Sequence, residues 1–260
     1  MNAPDPNPAS VPPPLPPSPT PPAPPNGILV LDKPAGKSSA YILNGIKRLF
    51  PRGTKLGHAG TLDPFATGIL LALIGKSTKR CESLMGSPKT YVATVKLNAT
   101  TESLDPERPE IQVDGPVPSL ADVVAALARY VPLPPLSSVD PETSTGVEFL
   151  QLPPAYSALK IGGRPAYELA RSGKPVELAP RPVRIYGISL LDYAHPHLTI
   201  CVCVGRGFYV RALARDLGVA LGSAGYLTQL RRTRVGPFAA DIAIAPADLT
   251  PDNLFLHLQP

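Results

Sequence analysis

Asp63, in the run Gly57-His58-Ala59-Gly60-Thr61-Leu62-Asp63-Pro64, is the side chain whose type and surroundings point most directly to chemistry. A carboxylate can attack carbon, accept a proton, or balance a developing positive charge. The glycines on either side of His58 permit a tight turn or the close approach of another backbone. Pro64 biases Asp63 away from helical backbone, so the carboxylate sits on an extended loop. Behind the loop runs Gly68-Ile69-Leu70-Leu71-Ala72-Leu73-Ile74-Gly75, apolar enough to form a buried support. A shaped loop on a rigid element is how catalytic groups are presented. An ordinary turn with a helix-capping aspartate uses the same residues, so the loop alone does not decide.

The elements that must hold this loop follow from periodicity. Residues 28–31 read as a strand, and Ser38 or Ser39 caps a helix through Tyr41, Ile42, Ile46 and Leu49. Residues 69–74 read as a buried strand, 78–85 as a short helix, and 91–97 as a half-buried strand by alternation. An amphipathic helix over 120–130 follows the Ser119 cap, and the Pro- and Ser-rich 131–151 reads as a loop. Further on, 167–171 reads as a short helix, 183–193 and 198–204 as strands, and 210–221 as a helix that Gly222 can end. Mixed elements without strict strand–helix alternation predict an α+β domain with a largely antiparallel sheet.

Composition narrows the class. The 260 residues are 43% hydrophobic, enough for a packed core. Half of residues 1–26 are proline, which predicts a disordered or polyproline II tail ahead of a domain over 27–250. All 25 basic residues and all but one of the 20 acidic residues follow that tail. The resulting positive balance, +5 over the whole chain, favours polyanionic partners. Three cysteines without a secretory signal fit a reducing cytoplasmic setting rather than a disulfide scaffold. No apolar run is of membrane-spanning length.

Several segments, in order, resemble the TruB family of pseudouridine synthases, which act on the T-loop of transfer RNA. The Gly57–Pro64 run resembles the catalytic motif. Gly27-Ile28-Leu29-Val30-Leu31-Asp32-Lys33-Pro34, with Gly36, Ser38 and Ser39, resembles the opening motif. Lys89-Thr90-Tyr91 resembles the segment of the active-site tyrosine, and Pro154-Ala155-Tyr156-Ser157-Ala158-Leu159-Lys160 the start of an RNA-gripping insertion. Gly205-Arg206-Gly207-Phe208-Tyr209-Val210-Arg211 resembles the segment of the active-site arginine, and Leu230-Arg231-Arg232 a late motif. Ordered matches of this kind are far more specific than any one of them.

The resemblance implies the pseudouridine synthase fold, a mixed sheet with flanking helices, an active-site cleft and an insertion over about 153–182. It implies isomerisation of uridine at tRNA position 55 through a flipped base, with Asp63, Tyr91 and Arg211 catalytic and neither metal nor other cofactor. His58 would fill the gap left by the flipped nucleotide, Tyr209 would pack near Arg211, and Lys160, Arg231 and Arg232 would bind RNA. Arg164, Arg171, Lys174 and Arg234 extend the basic set. A cytoplasmic monomer is the family default, and a non-catalytic tRNA-binding or tRNA-folding module on the same scaffold is the alternative.

Three departures stand out. A carboxy-terminal RNA-binding domain of the PUA type is not apparent. The acids within 100–105 leave the family's second aspartate position unassigned. The 131–151 segment is longer than the usual connection. Separately, His195, His197, Cys201 and Cys203 fall within nine residues, but at spacings unlike a zinc finger or knuckle. Small buried cysteines on one strand face account for the pair more simply.

Overall fold

The computed structural model describes residues 25–130, 145–157, 159–172 and 177–260, with the Lys160 side chain outside that set. The first 24 residues of the proline-rich tail, most of the expected 131–151 loop, and Lys174 therefore lie outside the described residues.

In chain order the elements are β1 (Gly27–Lys33), α1 (Ser39–Lys47), β2 (Leu56–His58), β3 (Thr67–Ile74), α2 (Cys81–Gly86), β4 (Lys89–Leu97), β5 (Ala99–Thr100), β6 (Ile111–Gln112) and α3 (Leu120–Ala128). There follow β7 (Val147–Gln151), β8 (Lys160–Ile161), β9 (Arg164–Pro165), α4 (Ala166–Arg171), β10 (Arg181–Ala194), β11 (His197–Val204), α5 (Val210–Ala220), β12 (Gly225–Val235), β13 (Phe238–Ala239) and β14 (Leu258–Gln259). Among the described residues one sheet has ten strands, in the order β14-β1-β3-β12-β4-β11-β10-β7, with β2 on β3 and β13 on β12. Its pairs are antiparallel except β12 with β3. The α+β, mostly antiparallel expectation holds.

β3 is apolar along nearly its whole length because both its faces are covered. Leu70, Ala72 and Ile74 pack with Ile42, Ile46 and Phe50 on the α1 side, while Ile69, Leu71 and Leu73 pack with Leu84, Val235 and Phe238 on the other. A continuous apolar run is what a doubly covered strand requires. β4 is covered differently. Its alternation turns Ala93, Val95 and Leu97 into the main core beside Leu213, Ala214 and Leu217 of α5, and Tyr91 packs against the same core. Each large apolar side chain so buried contributes roughly 1.5–3 kcal/mol relative to exposure.

Several local expectations are corrected. Ser38 is the α1 cap, its Oγ accepting from Tyr41 N at 3.1 Å, which frees Ser39 for another task. The 78–85 helix is a 3-10 turn over Gly75–Arg80 followed by α2. The end of the supposed 131–151 loop is strand β7, paired with β10 through Val147–Gln151. Five residues behind a proline-rich run carry too little alternation to be seen in isolation. β12 has no counterpart in the sequence reading, because Thr228, Gln229, Arg231, Arg232 and Arg234 look like a solvated basic run. They form a strand because β3 and β4 pair with it on either side.

Candidate active site

The Asp63 loop is fastened at nearly every residue. Ala59 N donates to Leu71 O at 3.1 Å, joining the loop's start to β3. Arg232 of β12 donates to Gly60 O at 3.0 Å and to Ile69 O at 2.7 Å. Ser39 receives Leu62 N at 2.9 Å and donates to Leu62 O at 3.1 Å, so one hydroxyl satisfies both backbone groups of the residue before Asp63. Pro64 O accepts from Gly36 N at 2.8 Å and from Lys33 Nζ at 3.1 Å. The Lys33 ammonium also donates to Pro34 O and Lys37 O, at 2.9 and 2.7 Å, which gives each of its three protons a carbonyl. Burial pulls the Lys33 pKa down to about 8, although Asp63 and Glu107 oppose the shift.

Two glycines serve this arrangement. Gly60 adopts φ +92° and makes the turn. Gly68, at φ +96°, lies opposite Arg232, and a Cβ there would come within 2.2 Å of the Arg232 carbonyl oxygen. Gly57 has no such requirement, since a Cβ at that position would meet only ordinary contacts.

Arg211 is the centre of the site. It lies in the first turn of α5, where the helix dipole disfavours a cation, and yet it is only 5% exposed. Its Nε and Nη2 face Asp63 Oδ2 and Oδ1 at 2.9 and 3.2 Å, a two-pronged contact. Nη1 lies 3.3 Å from Asp105 Oδ2 and donates to Ser103 O at 2.8 Å, while Nη2 also donates to Tyr156 O at 2.8 Å. The helix entry is set by Gln151 at the end of β7, which accepts from Tyr209 N at 2.9 Å and donates to Tyr209 O at 3.1 Å.

Asp105 was not singled out from sequence. It stands on a tight loop in which Asp105 N donates to Thr101 Oγ1 at 3.0 Å, Thr101 Oγ1 to Asp105 O at 2.7 Å, and Glu107 N to Asp105 Oδ1 at 3.1 Å. Leu104 holds φ +61°, a conformation costly for a branched residue and retained here beside the ion pairs. The available signal was the alternation of Thr101, Ser103 and Asp105, interrupted by Glu102. Ser39 and Lys33 carry no sequence signal as positioning residues beyond their membership of the opening motif, and Gln151, at the end of the expected 131–151 loop, carries none.

Asp63 looks into a cleft of about 810 Å³, lined among others by Tyr91, Glu107, Arg108, Tyr156, Arg206, Tyr209 and Arg211. Its side chain keeps 34% of its surface accessible through the mouth, although protein atoms crowd it closely. Burial raises its pKa, the Arg211 charge opposes that, and the Asp105 charge adds to it. Burial also raises the Tyr209 phenol.

The expected RNA residues are distributed differently. His58 is half-buried on β2, outside the cleft lining, with Nδ1 buried and unpartnered and its pKa lowered by burial and then by Arg232. Arg231 makes a two-pronged pair with Asp32, at 3.0 and 2.8 Å, on partly exposed surface. Arg232 is 1% exposed and binds backbone carbonyls. Lys160 opens the small β8–β9 hairpin. His195, His197, Cys201 and Cys203 are strung along the β10–β11 turn and β11, and among the described residues no three potential ligands gather for a metal.

Comparison with known proteins follows the same residues. The sequence model described as "TruB family pseudouridylate synthase (N terminal domain)" matches residues 47–134 and 140–210. "tRNA pseudouridylate synthase B C-terminal domain" matches residues 211–255. Proteins named tRNA pseudouridine synthase B are similar at 40% identity over 221 residues in Francisella philomiragia, and at 44% over 220 in Aromatoleum aromaticum. Each alignment covers 84% of this chain, and 68% and 66% of those relatives. Among solved structures, a Cbf5-Nop10-Gar1 complex chain matches with TM-score 0.63 and 27% identity, over 88% of this chain and 55% of that one. A chain of an H/ACA RNP bound to a substrate RNA containing 2'-deoxyuridine matches at 0.61 and 24%, covering 90% and 59%, a likeness of fold. The chain thus spans about two thirds of its sequence relatives and little more than half of these solved chains.

Proposed function

The chain belongs to the TruB family of pseudouridine synthases, and on that premise we propose that it isomerises uridine to pseudouridine in the T-loop of transfer RNA, at position 55. The observation that carries the reading is the ion pair of Asp63 with Arg211 at the floor of an open cleft.

The reaction breaks the C1′–N1 glycosidic bond, turns the uracil, and joins C1′ to C5. The proton on C5 is lost and N1 gains one, so no electron donor or acceptor is consumed. Attack of a carboxylate on C1′ and abstraction of a sugar proton by a carboxylate both require an ionised group at the same place, and Asp63 is that group. Arg211 keeps it charged against the desolvation of the cleft and fixes its direction. The base must leave its stack to reach so recessed a residue. The Tyr91 ring at the cleft wall offers a stacking face to the extruded uracil and a hydroxyl for proton exchange.

Around this centre we assign RNA contact to Tyr209, Lys160 and the β8–α4 insertion, and to the basic surface that includes Arg231. Arg232 acts in the same site by holding the Asp63 loop. The protein works as a cytoplasmic monomer without a metal. Among the described residues no helix is long and apolar enough to cross a membrane.

The test is a pseudouridine assay on a transcribed T-stem-loop, with Asp63→Asn beside the wild type. Product at the single T-loop uridine, lost in the variant with RNA binding retained, supports the isomerase. Equal product from both would remove Asp63 from the mechanism, and binding without product on stem-loop and whole tRNA alike would favour a non-catalytic module.

A further inference from the structure

Three carboxylates line the cleft: Asp63, the buried Asp105 and the exposed Glu107. The cations among them, Arg211 and Lys33, are buried and already hydrogen-bonded to the protein. Burial raises the Glu107 pKa, the charges of Asp105 and then Asp63 raise it further, and the Arg211 charge opposes them. A polyanion approaching Asp63 meets the charge of these carboxylates, because Lys89 and Arg232, which also line the cleft, are spent on backbone carbonyls and Arg206 pairs with Glu82. A cation at the lip with its hydrogen bonds unspent would offset it.

Arg108 has those properties. It follows Glu107 by one residue and lines the same cleft. Its guanidinium lies 5.4 Å from the centroid of the Tyr156 ring. Among the described residues no carboxylate or carbonyl takes a hydrogen bond from it. Tyr156 is itself fixed, its hydroxyl donating to Glu102 Oε2 at 3.2 Å and its carbonyl accepting from Arg211 Nη2 at 2.8 Å. The guanidinium that orients Asp63 therefore also tethers the ring under Arg108. A guanidinium held over a ring keeps its N–H donors available for phosphate oxygens and loses less freedom on binding. The same device recurs on α4, where Arg171, also at the cleft, lies 5.6 Å from the Tyr167 ring.

We propose that Arg108, mounted on Tyr156, is a phosphate-binding residue that grips the RNA backbone next to the nucleotide occupying the cleft. The inference rests on the reading of the cleft as an RNA-modifying site. Its ligand is the phosphodiester itself, so it contributes affinity and register without reading a base.

The experiment measures dissociation constants for a synthetic T-stem-loop at several salt concentrations, with single-turnover rates at saturating RNA, for wild type, Arg108→Ala, Arg108→Lys and Tyr156→Leu. Arg108→Ala should weaken binding about 10-fold and reduce the slope of log affinity against log salt by roughly 0.7, while the saturated rate falls less than about 3-fold. Arg108→Lys should keep most of the slope. Tyr156→Leu, which removes the ring but no charge, should weaken binding less and leave the slope unchanged. A methylphosphonate at one phosphate beside the target uridine should weaken wild type and leave Arg108→Ala unaffected. Unchanged affinity and slope in Arg108→Ala, with a wild-type melting curve, would overturn the proposal, as would a loss confined to the saturated rate. If wild type binds the stem-loop without making pseudouridine, the isomerase reading falls while affinity and slope still decide the role of Arg108.

Discussion

Arg232 holds the carbonyl of Gly60 at 3.0 Å, and through it β12 fastens the loop that carries Asp63. The arginine is buried, with 1% of its surface exposed, and its Nε is engaged by Ile69 O. Replacing it with Met leaves those carbonyls without a donor, at roughly 1–3 kcal/mol for each one left buried. Arg232→Met should therefore lower the urea midpoint and slow isomerisation, while the salt slope of RNA binding stays as in wild type. Arg231→Ala, which breaks a partly exposed pair with Asp32, should cost no more than about 1 kcal/mol in the same unfolding assay.

Asp105 shares Arg211 with Asp63, so its removal acts on the proposed catalytic carboxylate at second hand. Asp105→Asn keeps the shape but removes a charge, and it should lower the saturated rate by about 10–100-fold with little change in affinity. Arg211→Met strips the partner from two carboxylates in one step. Its stability loss should reach about 3–5 kcal/mol by urea titration, with activity abolished. Normal turnover in Asp105→Asn would show that Asp63 needs no second acid.

The pH profile has two limbs of known sign. The proposed mechanism requires Asp63 to be ionised, and its pKa is raised by burial, so the acid limb of the single-turnover rate should lie above the ordinary carboxylate range. Lys33 has its pKa lowered to about 8, so it is charged below that pH and neutral above it. The unfolded chain, with Lys33 at its ordinary value of 10.5, binds more protons than the folded one between about 8 and 10.5, so the cost of burying the charge is relieved and stability should rise with pH across that window. Lys33→Met should remove that dependence along with most of the activity. A wild-type urea midpoint that falls or stays level between about pH 8 and 10 would sink the assignment.

Ser39→Ala removes one hydroxyl that serves both Leu62 N and Leu62 O inside a buried site. The expected cost is about 1–3 kcal/mol in unfolding, accompanied by a slower saturated rate. Ser38→Ala, one residue earlier, removes only the α1 cap and should cost about 1 kcal/mol without slowing catalysis. Equal effects of the two on rate would contradict the clamp.

Local sequence by itself determined the turn that carries Asp63, its apolar support, the strand of Tyr91 and the helices that follow Ser38-Ser39 and Ser119, because capping, alternation and glycine chemistry act within a few residues. The ordered motifs went further and grouped Asp63, Tyr91 and Arg211, which line one cleft in the structure. The tertiary structure decided what no neighbour in the chain could. The polar run around Arg232 became a central strand because β3 and β4 supply its backbone partners. An arginine read as an RNA contact lies instead beneath the loop, where unsatisfied carbonyls require a donor. Asp105 joined the site because a left-handed residue at Leu104 helps turn its loop toward a guanidinium 106 positions later in the chain. These are relations between distant segments, set by burial and hydrogen-bond satisfaction rather than by local preference.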